Sequence, residues 1–205
     1  PSLLVTDVRK KLKKTFAPAL YDLTALQREA NQKFGFSAKQ TLNIMQRLYE
    51  NHKVLTYPRT DSRYLTTDIV PTLKERLKAC AVGPYSKIAG RLSMQKLQAN
   101  KSFVNDSKVS DHHAIIPTGV PARNLTENER KVYDLVARRF IAAFYPDCEI
   151  STTTVLGKVG KVDFKVTGKQ ILKPGWRVVF GAEQKDPDAE PTEEEGVLPD
   201  FTKGE

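Results

Sequence analysis

Cysteine is scarce in this chain of 205 residues: Cys80 and Cys148 are the only two, far apart and outside any CxxC spacing. That excludes a disulfide framework and suits reduced thiols without a chemical role. Long apolar runs are missing as well, none approaching the roughly 18 residues of a membrane-spanning helix. The opening stretch PSLLVTDVRKKLKK places its basic cluster after a short apolar run, the reverse of a secretory signal. Together these absences predict a soluble cytoplasmic protein with no membrane partner. The phosphate-cradling pattern G-x-x-x-x-G-K-[ST] does not occur, which removes support for an ATP-driven motor. There is no internal repeat. The chain has no initiator Met and stops on the polar run TKGE, so it reads as an excised fragment.

What is present is a hydrophobic fraction of 40%, enough for a core in one large domain or two small ones. The net charge of +9 hides a division: residues 182–205 carry nine acids and two bases, a net of −7, which leaves +16 on residues 1–181. Lys and Arg that neutralise phosphates release counterions, so this excess points to a polyanionic partner, nucleic acid above all. A merely basic soluble protein is the bland alternative.

Residues 22–35, DLTALQREANQKFG, read as a helix capped by Asp22 and stopped by Gly35. Ser37-Ala38-Lys39-Gln40 has the capping-box pattern and opens a second helix on which Leu42, Met45, Leu48, Tyr49 and His52 recur at helical spacing. Val54 to Thr56 then suggest a short strand, an order that suits a winged helix-turn-helix as well as a plain helical hairpin. Helices are predicted at 67–80 and 85–98, the second bounded by Gly83-Pro84. Thr126 and Glu129 repeat the capping-box pattern ahead of the stripe Val132, Leu135, Val136, Phe140, Ala143 and Phe144, and Tyr145-Pro146-Asp147 ends that helix. From Glu149 the texture changes, with Val162, Phe164 and Val166 alternating against Lys161, Asp163 and Lys165 as in a half-buried strand. Trp176 to Phe180 is expected to add another strand, and Leu3, Val5 and Val8 a further one from the N-terminal segment. The predicted class is α+β: a helical domain at 18–148, an antiparallel β portion from 1–17 and 149–205, and an acidic, proline-containing loop at 183–196.

Three stretches invite chemistry. In LTYPRTDS, residues 55–62, Tyr57 and Arg59 share side-chain parity on an extended strand, so both could face one phosphate while Pro58 stiffens the backbone between them. A cation near the phenol favours the phenolate, and Thr60, Asp61 and Ser62 would turn the chain and hydrogen-bond locally. A packing tyrosine is the commoner fate of such a residue. In SDHHAIIPT, residues 110–118, adjacent histidines on an extended segment point to opposite sides, so they make a poor chelating pair and at most one serves a given site. A histidine beside a phosphate could protonate a leaving oxygen or donate a hydrogen bond, though a structural histidine is the more frequent reading. Asp186-Pro187-Asp188-Ala189-Glu190 has a D-x-D-x-E spacing but no buried strand ahead of it, and reads as a solvated charge run rather than a metal site.

LTYPRTDSRYL, preceded by GFSAKQTLNIMQRLYE and followed about fifty residues later by DHHAIIPT, resembles the type IA DNA topoisomerases, and the YPRTDS form is most like that of the bacterial topoisomerase III branch. The likeness runs from the basic segment before Phe16 through GKQILKPGWRVVF to LPDFTKGE. It implies that Tyr57 is a nucleophile that attacks a DNA phosphodiester, forms a 5′-phosphotyrosyl bond and expels a 3′-hydroxyl, so that single strands are cut, passed and rejoined without ATP. It further implies that Arg59 stabilises charge on the scissile phosphate and that His112, five residues before Pro117, lies near the active site. Gln46 and Glu50 on the preceding helix, and Thr60, Asp61 and Ser62 within the motif, are carried over as DNA-binding residues. The β portion would belong to the arch of a toroid. Nothing in the chain resembles the Toprim domain, whose carboxylates bind Mg2+ in that family. No metal or other cofactor is therefore expected on this chain itself, its partners would be mainly single-stranded DNA and the remaining domains of the same polypeptide, and alone it should be a poor or inactive nuclease. The alternatives are a non-catalytic winged-helix DNA-binding module, in which Tyr57 merely packs, and a tyrosine recombinase or type IB enzyme, which the early placement of YPR disfavours.

Overall fold

The computed structural model describes residues 2–97, 99–181 and 201–204. The acidic stretch 183–196, with its D-x-D-x-E run, lies outside the described residues. The chain divides into two compact units, residues 1–16 with 146–205, and residues 17–145. A mixed helix and antiparallel-sheet architecture results.

The smaller unit is a three-stranded antiparallel sheet in the order β1 (Leu3–Thr15), β2 (Cys148–Val159), β3 (Val162–Lys173). The N-terminal segment therefore pairs along its whole length with a strand that begins far downstream, Leu3 opposite Val159 and Thr15 opposite Cys148, with a bulge between Val5 and Asp7. Gly160, at φ +63°, makes the hairpin turn between β2 and β3. At Gly157 the missing side chain is what admits the Phe164 ring from the next strand.

The strand expected at Trp176 to Phe180 does not form. Gly175–Val179 is instead a short 3-10 helix. The cause is local. Gly175 has φ +55°, and the carbonyls of Pro146 and Asp147 occupy the space a Cβ would need, so the chain bends after Pro174 rather than extending. Trp176 is turned inward, its backbone N–H donating to the Pro146 carbonyl at 3.0 Å and its indole N–H to the Thr15 carbonyl at 2.9 Å.

The larger unit is helical: α1 (Leu23–Phe34), α2 (Ala38–Glu50), α3 (Leu73–Cys80), α4 (Ser86–Ser93) and α5 (Glu127–Ala142). Asp22 Oδ1 accepts the Ala25 N–H at 2.7 Å to start α1, and Gly35, at φ +70°, ends it. Ser37 caps α2, which stops at Glu50 and leaves His52 beyond its end. The helix expected at 67–80 is a 3-10 turn, Thr67–Thr72, that continues into α3 after Pro71; α4 covers only the first part of the one expected at 85–98. Helix α5 is the core element: it buries Val132, Tyr133, Val136, Ala137, Phe140 and Ile141 and packs on α1 and α2. In place of a strand at 54–56 there are isolated bridges, Leu55 with Pro117 and Tyr21 with Ile115. Both cysteines are free and buried, and burial pushes the Cys80 thiol up to about 11, which keeps it protonated.

One polar knot joins the start of α5 to the end of α2. Glu129 closes a full capping box with Thr126, and its carboxylate also meets His52 Nε2 at 3.1 Å and Arg47 Nε at 3.5 Å. Only 3% of that side chain is exposed. Burial alone would favour its neutral form, but the Thr126 N–H and His52 outweigh it and hold the carboxyl below the usual glutamate range. A depressed folded value means that this contribution is complete above the ordinary glutamate pKa of about 4.3 and is lost as pH falls through the lowered value. Glu129→Gln is expected to cost about 1–3 kcal/mol at neutral pH and to flatten the acid limb of stability against pH. Urea unfolding of both forms between pH 3 and pH 7, set from that roughly 4.3 reference, measures this.

Candidate active site

The YPRTDS segment is fixed by a second extended segment from sixty residues downstream. Thr56 N–H donates to the Ile116 carbonyl at 3.0 Å, the Thr56 hydroxyl accepts the Ile116 N–H at 3.0 Å, and Thr118 N–H donates to the Val54 carbonyl at 2.9 Å. On its other side the 114–116 stretch is tied to Tyr64 and Tyr21, through Ala114 N–H and Ile115 N–H, each at 2.9 Å. Leu55, Ala114, Ile115 and Ile116 are almost completely buried. Tyr57 emerges where this pairing ends, and His112 where the partner segment begins.

Tyr57 is half-buried and its ring sits between two others. The His112 ring lies 4.2 Å away between centroids, tilted by 33°, and the Tyr49 ring approaches edge-on at 5.5 Å and 82°. Two clefts flank it: one of about 820 Å3 that includes Tyr49, Glu50, Lys53 and Arg76, the other of about 290 Å3 that includes Asp68, Asp111, His112 and His113. The Tyr57 hydroxyl makes no hydrogen bond among the described residues. By contrast Tyr85 donates to Asp134 at 2.7 Å, Tyr145 to the Ile88 carbonyl at 2.7 Å, and Tyr133 meets the Cys80 sulfur at 3.7 Å. Burial raises those three phenols; the first two to be packed deepest, Tyr85 and Tyr133, are pushed far above the ordinary range.

Residues 57–59 do not form a strand, yet burial alternates along the loop, with Pro58, Thr60 and Ser62 buried and Arg59 and Asp61 exposed. Thr60 N–H donates to the Pro58 carbonyl at 3.0 Å, a three-residue turn centred on Arg59 that buries Pro58 and leaves the guanidinium exposed. Thr60 and Ser62 are 7% and 4% exposed. Their hydroxyls are spent inside the protein: Thr60 donates to the His112 carbonyl at 2.9 Å and accepts the Ser62 N–H, while Ser62 donates to the Lys108 carbonyl at 2.8 Å. They brace the loop beneath its surface, and of this trio only Asp61 faces solvent. The two histidines part as expected, His112 exposed on Tyr57, His113 half-buried with Nδ1 2.7 Å from the Ala114 carbonyl oxygen and its pKa lowered mainly by burial. Glu50 lines the larger cleft; Gln46, one turn earlier and half-buried, lines neither.

Three residues at the site escaped the sequence reading. Tyr49 looked like one more member of the apolar helical face. Lys53 has φ +56°, a conformation that favours glycine, and Arg76 reaches the site from α3. Only the spacing of Tyr49, eight residues before Tyr57 across a helix end, offered a signal.

With this geometry in view, the comparisons place the molecule. The chain matches the DNA topoisomerase family over residues 1–205 and belongs to it. It is 55% identical over 203 residues to the DNA topoisomerase 3 of Bacillus anthracis and 47% identical over 204 residues to that of Bacillus subtilis (strain 168); each match covers 98% of this chain. The chain spans 28% of the length of these curated relatives. Its structure is similar to that of full-length topoisomerase I from Thermotoga maritima, with a TM-score of 0.70 and 25% identity over 99% of this chain and 32% of that one.

The division between bracing and presented groups has a stability signature. Tyr57→Phe removes a hydroxyl that has no partner among the described residues and is expected to shift stability by less than about 0.5 kcal/mol. Thr60→Val leaves the His112 carbonyl and the Ser62 N–H without a partner and should cost about 1–3 kcal/mol. Thermal melts of the two variants beside the parent separate these outcomes.

Proposed function

We propose that this chain supplies the tyrosine-bearing half of a type IA topoisomerase active site, which cuts and rejoins one DNA strand at a time. Tyr57 Oη bonds to phosphorus as the bond to the 3′-oxygen breaks; the phenolic proton is released and the departing oxygen takes one up. Phosphodiester energy is kept in the 5′-phosphotyrosyl bond, so the reverse attack needs no ATP. Arg59, exposed at its turn, faces the charge that builds on the phosphoryl oxygens. His112, stacked on the phenol, donates a hydrogen bond to the phosphate or a proton to the leaving oxygen. Glu50, Gln46 and Asp61 meet the flanking strand, and Thr60 and Ser62 contribute by holding the loop.

The observation that carries this reading is a phenol clamped by His112 and Tyr49, flanked by open clefts, whose hydroxyl has no partner among the described residues. The names of the relatives support it. In this reading α1 and α2 act as a winged-helix-like helix-turn-helix, the sheet belongs to the arch of a toroid, and the protein works in the cytoplasm. Among the described residues no three His, Cys, Asp or Glu side chains cluster as metal ligands. In this reading magnesium is held by the carboxylates of a Toprim domain, where it would add positive charge opposite the tyrosine.

A form joining residues 1–205 to a Toprim domain, incubated with Mg2+ and single-stranded DNA and quenched in detergent, should retain covalently bound DNA at its 5′ end. Tyr57→Phe is expected to abolish that adduct. An undiminished adduct in the variant would place the nucleophile elsewhere.

A further inference from the structure

The larger cleft beside Tyr57 contains two cations that have no counter-charge among the described residues. Lys53 sits at φ +56° just past the end of α2. A left-handed conformation is strained for a side-chain-bearing residue, and glycine fits such a position without that cost. The strain is held in place, because the Lys53 carbonyl accepts the Thr118 hydroxyl at 2.6 Å. Its ammonium has no partner among the described residues. Arg76 stands on α3, half-buried, with Nε donating to the Thr72 hydroxyl at 3.0 Å and Nη1 to the Pro117 carbonyl at 3.1 Å. Both partners are neutral, and no carboxylate lies within ion-pair distance of Arg76 among the described residues. A half-buried guanidinium without a counter-charge is costly, and burial already works against its charged form. Three of its five N–H groups remain uncommitted by these bonds.

The two cations converge through one short segment. Lys53 is tied to Thr118 and Arg76 to Pro117, adjacent residues of the strip that positions Tyr57. Both line the same cleft as Tyr57. The carboxylates there are Glu50 and Glu75, and Glu75 is exposed and taken up by Lys78 at 3.0 Å.

We propose that Lys53 and Arg76 form a phosphate-binding pair that holds the backbone of single-stranded DNA on the Glu50 side of Tyr57, next to the linkage to be cut. The proposal rests on Tyr57 being the residue that meets DNA, and adds which way the strand leaves it. A backbone phosphate supplies the anion that Arg76 lacks, and its charge reaches Lys53 along the same strand. Because the contact is to phosphate and not to bases, it strengthens binding for every sequence alike.

The test uses the 205-residue chain and a fluorescein-labelled oligo(dT) strand, with anisotropy titrations at several salt concentrations. Lys53→Gly removes the ammonium and relieves the strained φ, so the variant should melt at or above the parent temperature. Its affinity should nevertheless fall by roughly threefold or more, and the slope of log K against log salt should shrink by about one. Arg76→Lys, which keeps a charge but loses the fork, should weaken binding by a similar factor and leave the salt slope nearer the parent's. An unchanged salt slope in Lys53→Gly overturns the proposal, as does a parent chain that fails to bind the strand at low salt. Normal binding by Lys53→Gly alongside a Tyr57-dependent adduct would remove the phosphate pair and leave the nucleophile standing. Weakened binding alongside an adduct that survives Tyr57→Phe would do the reverse.

Discussion

The pairing of residues 54–56 with 114–118 is the constraint on which the site depends. Thr56 makes it directional by offering both its N–H and its hydroxyl to Ile116, while Leu55, Ile115 and Ile116 are buried almost completely. Side chains alternate along extended backbone, so a slip of one residue would turn these apolar groups outward and bury their polar neighbours. The same slip would carry His112 away from the Tyr57 ring. A contact between aromatic rings 4.2 Å apart is thus set by the burial of residues that touch neither.

That arrangement separates groups that hold from groups that are held out. Thr60 and Ser62 belong to the motif that suggested DNA contact, yet their hydroxyls are consumed by the His112 and Lys108 carbonyls, where an unpaired buried acceptor would be expensive. Tyr57, Arg59 and Asp61, interleaved with them, keep their polar ends unspent among the described residues. Alternation along one short loop therefore yields a rigid underside and an available upper surface. Rigidity matters here because in-line attack tolerates little misplacement of the attacking oxygen.

Much of the framework was legible because its signals are local. Asp22, Gly35, Ser37 and the Thr126–Glu129 pair mark helix ends by bonds within a few residues; the last closes a full capping box, while at α2 the bond given is the Gln40 N–H to the Ser37 hydroxyl. The alternation of Val162, Phe164 and Val166 marked β3, although Val162 and Val166 are exposed and not half-buried, and the apolar N-terminal residues marked β1. What failed was decided at a distance or by a single bond. Trp176 leaves the strand state because carbonyls of residues 146 and 147 crowd Gly175, which no neighbouring residue announces. The strand expected to carry Tyr57 and Arg59 is interrupted by one backbone bond, from Thr60 to Pro58, although exposure still alternates along the loop. At the site, Tyr57 and His112 stood out through their motifs, whereas Arg76 comes from a helix whose sequence carries no mark of the cleft it faces.

Net charge alone was a blunt guide to where an anion would sit, and pairing sharpens it. In the helical unit Arg47 is engaged by Glu129, Arg63 by Asp22 and Arg138 by Asp134, while Arg139 lies over the Tyr21 ring at 4.4 Å and donates to the Ala19 carbonyl. These cations stabilise the fold, and their fields are largely answered by a carboxylate or an aromatic face. Arg59, Lys53 and Arg76 have no such answer among the described residues, and all three lie within a short reach of chain or cleft from Tyr57. Long-range charge is screened within about 10 Å at ordinary salt, so an excess spread over the surface steers a strand toward the protein but cannot select a phosphate. Selection needs cations left unpaired at one place, and Lys53 and Arg76 meet that condition in the cleft beside Tyr57.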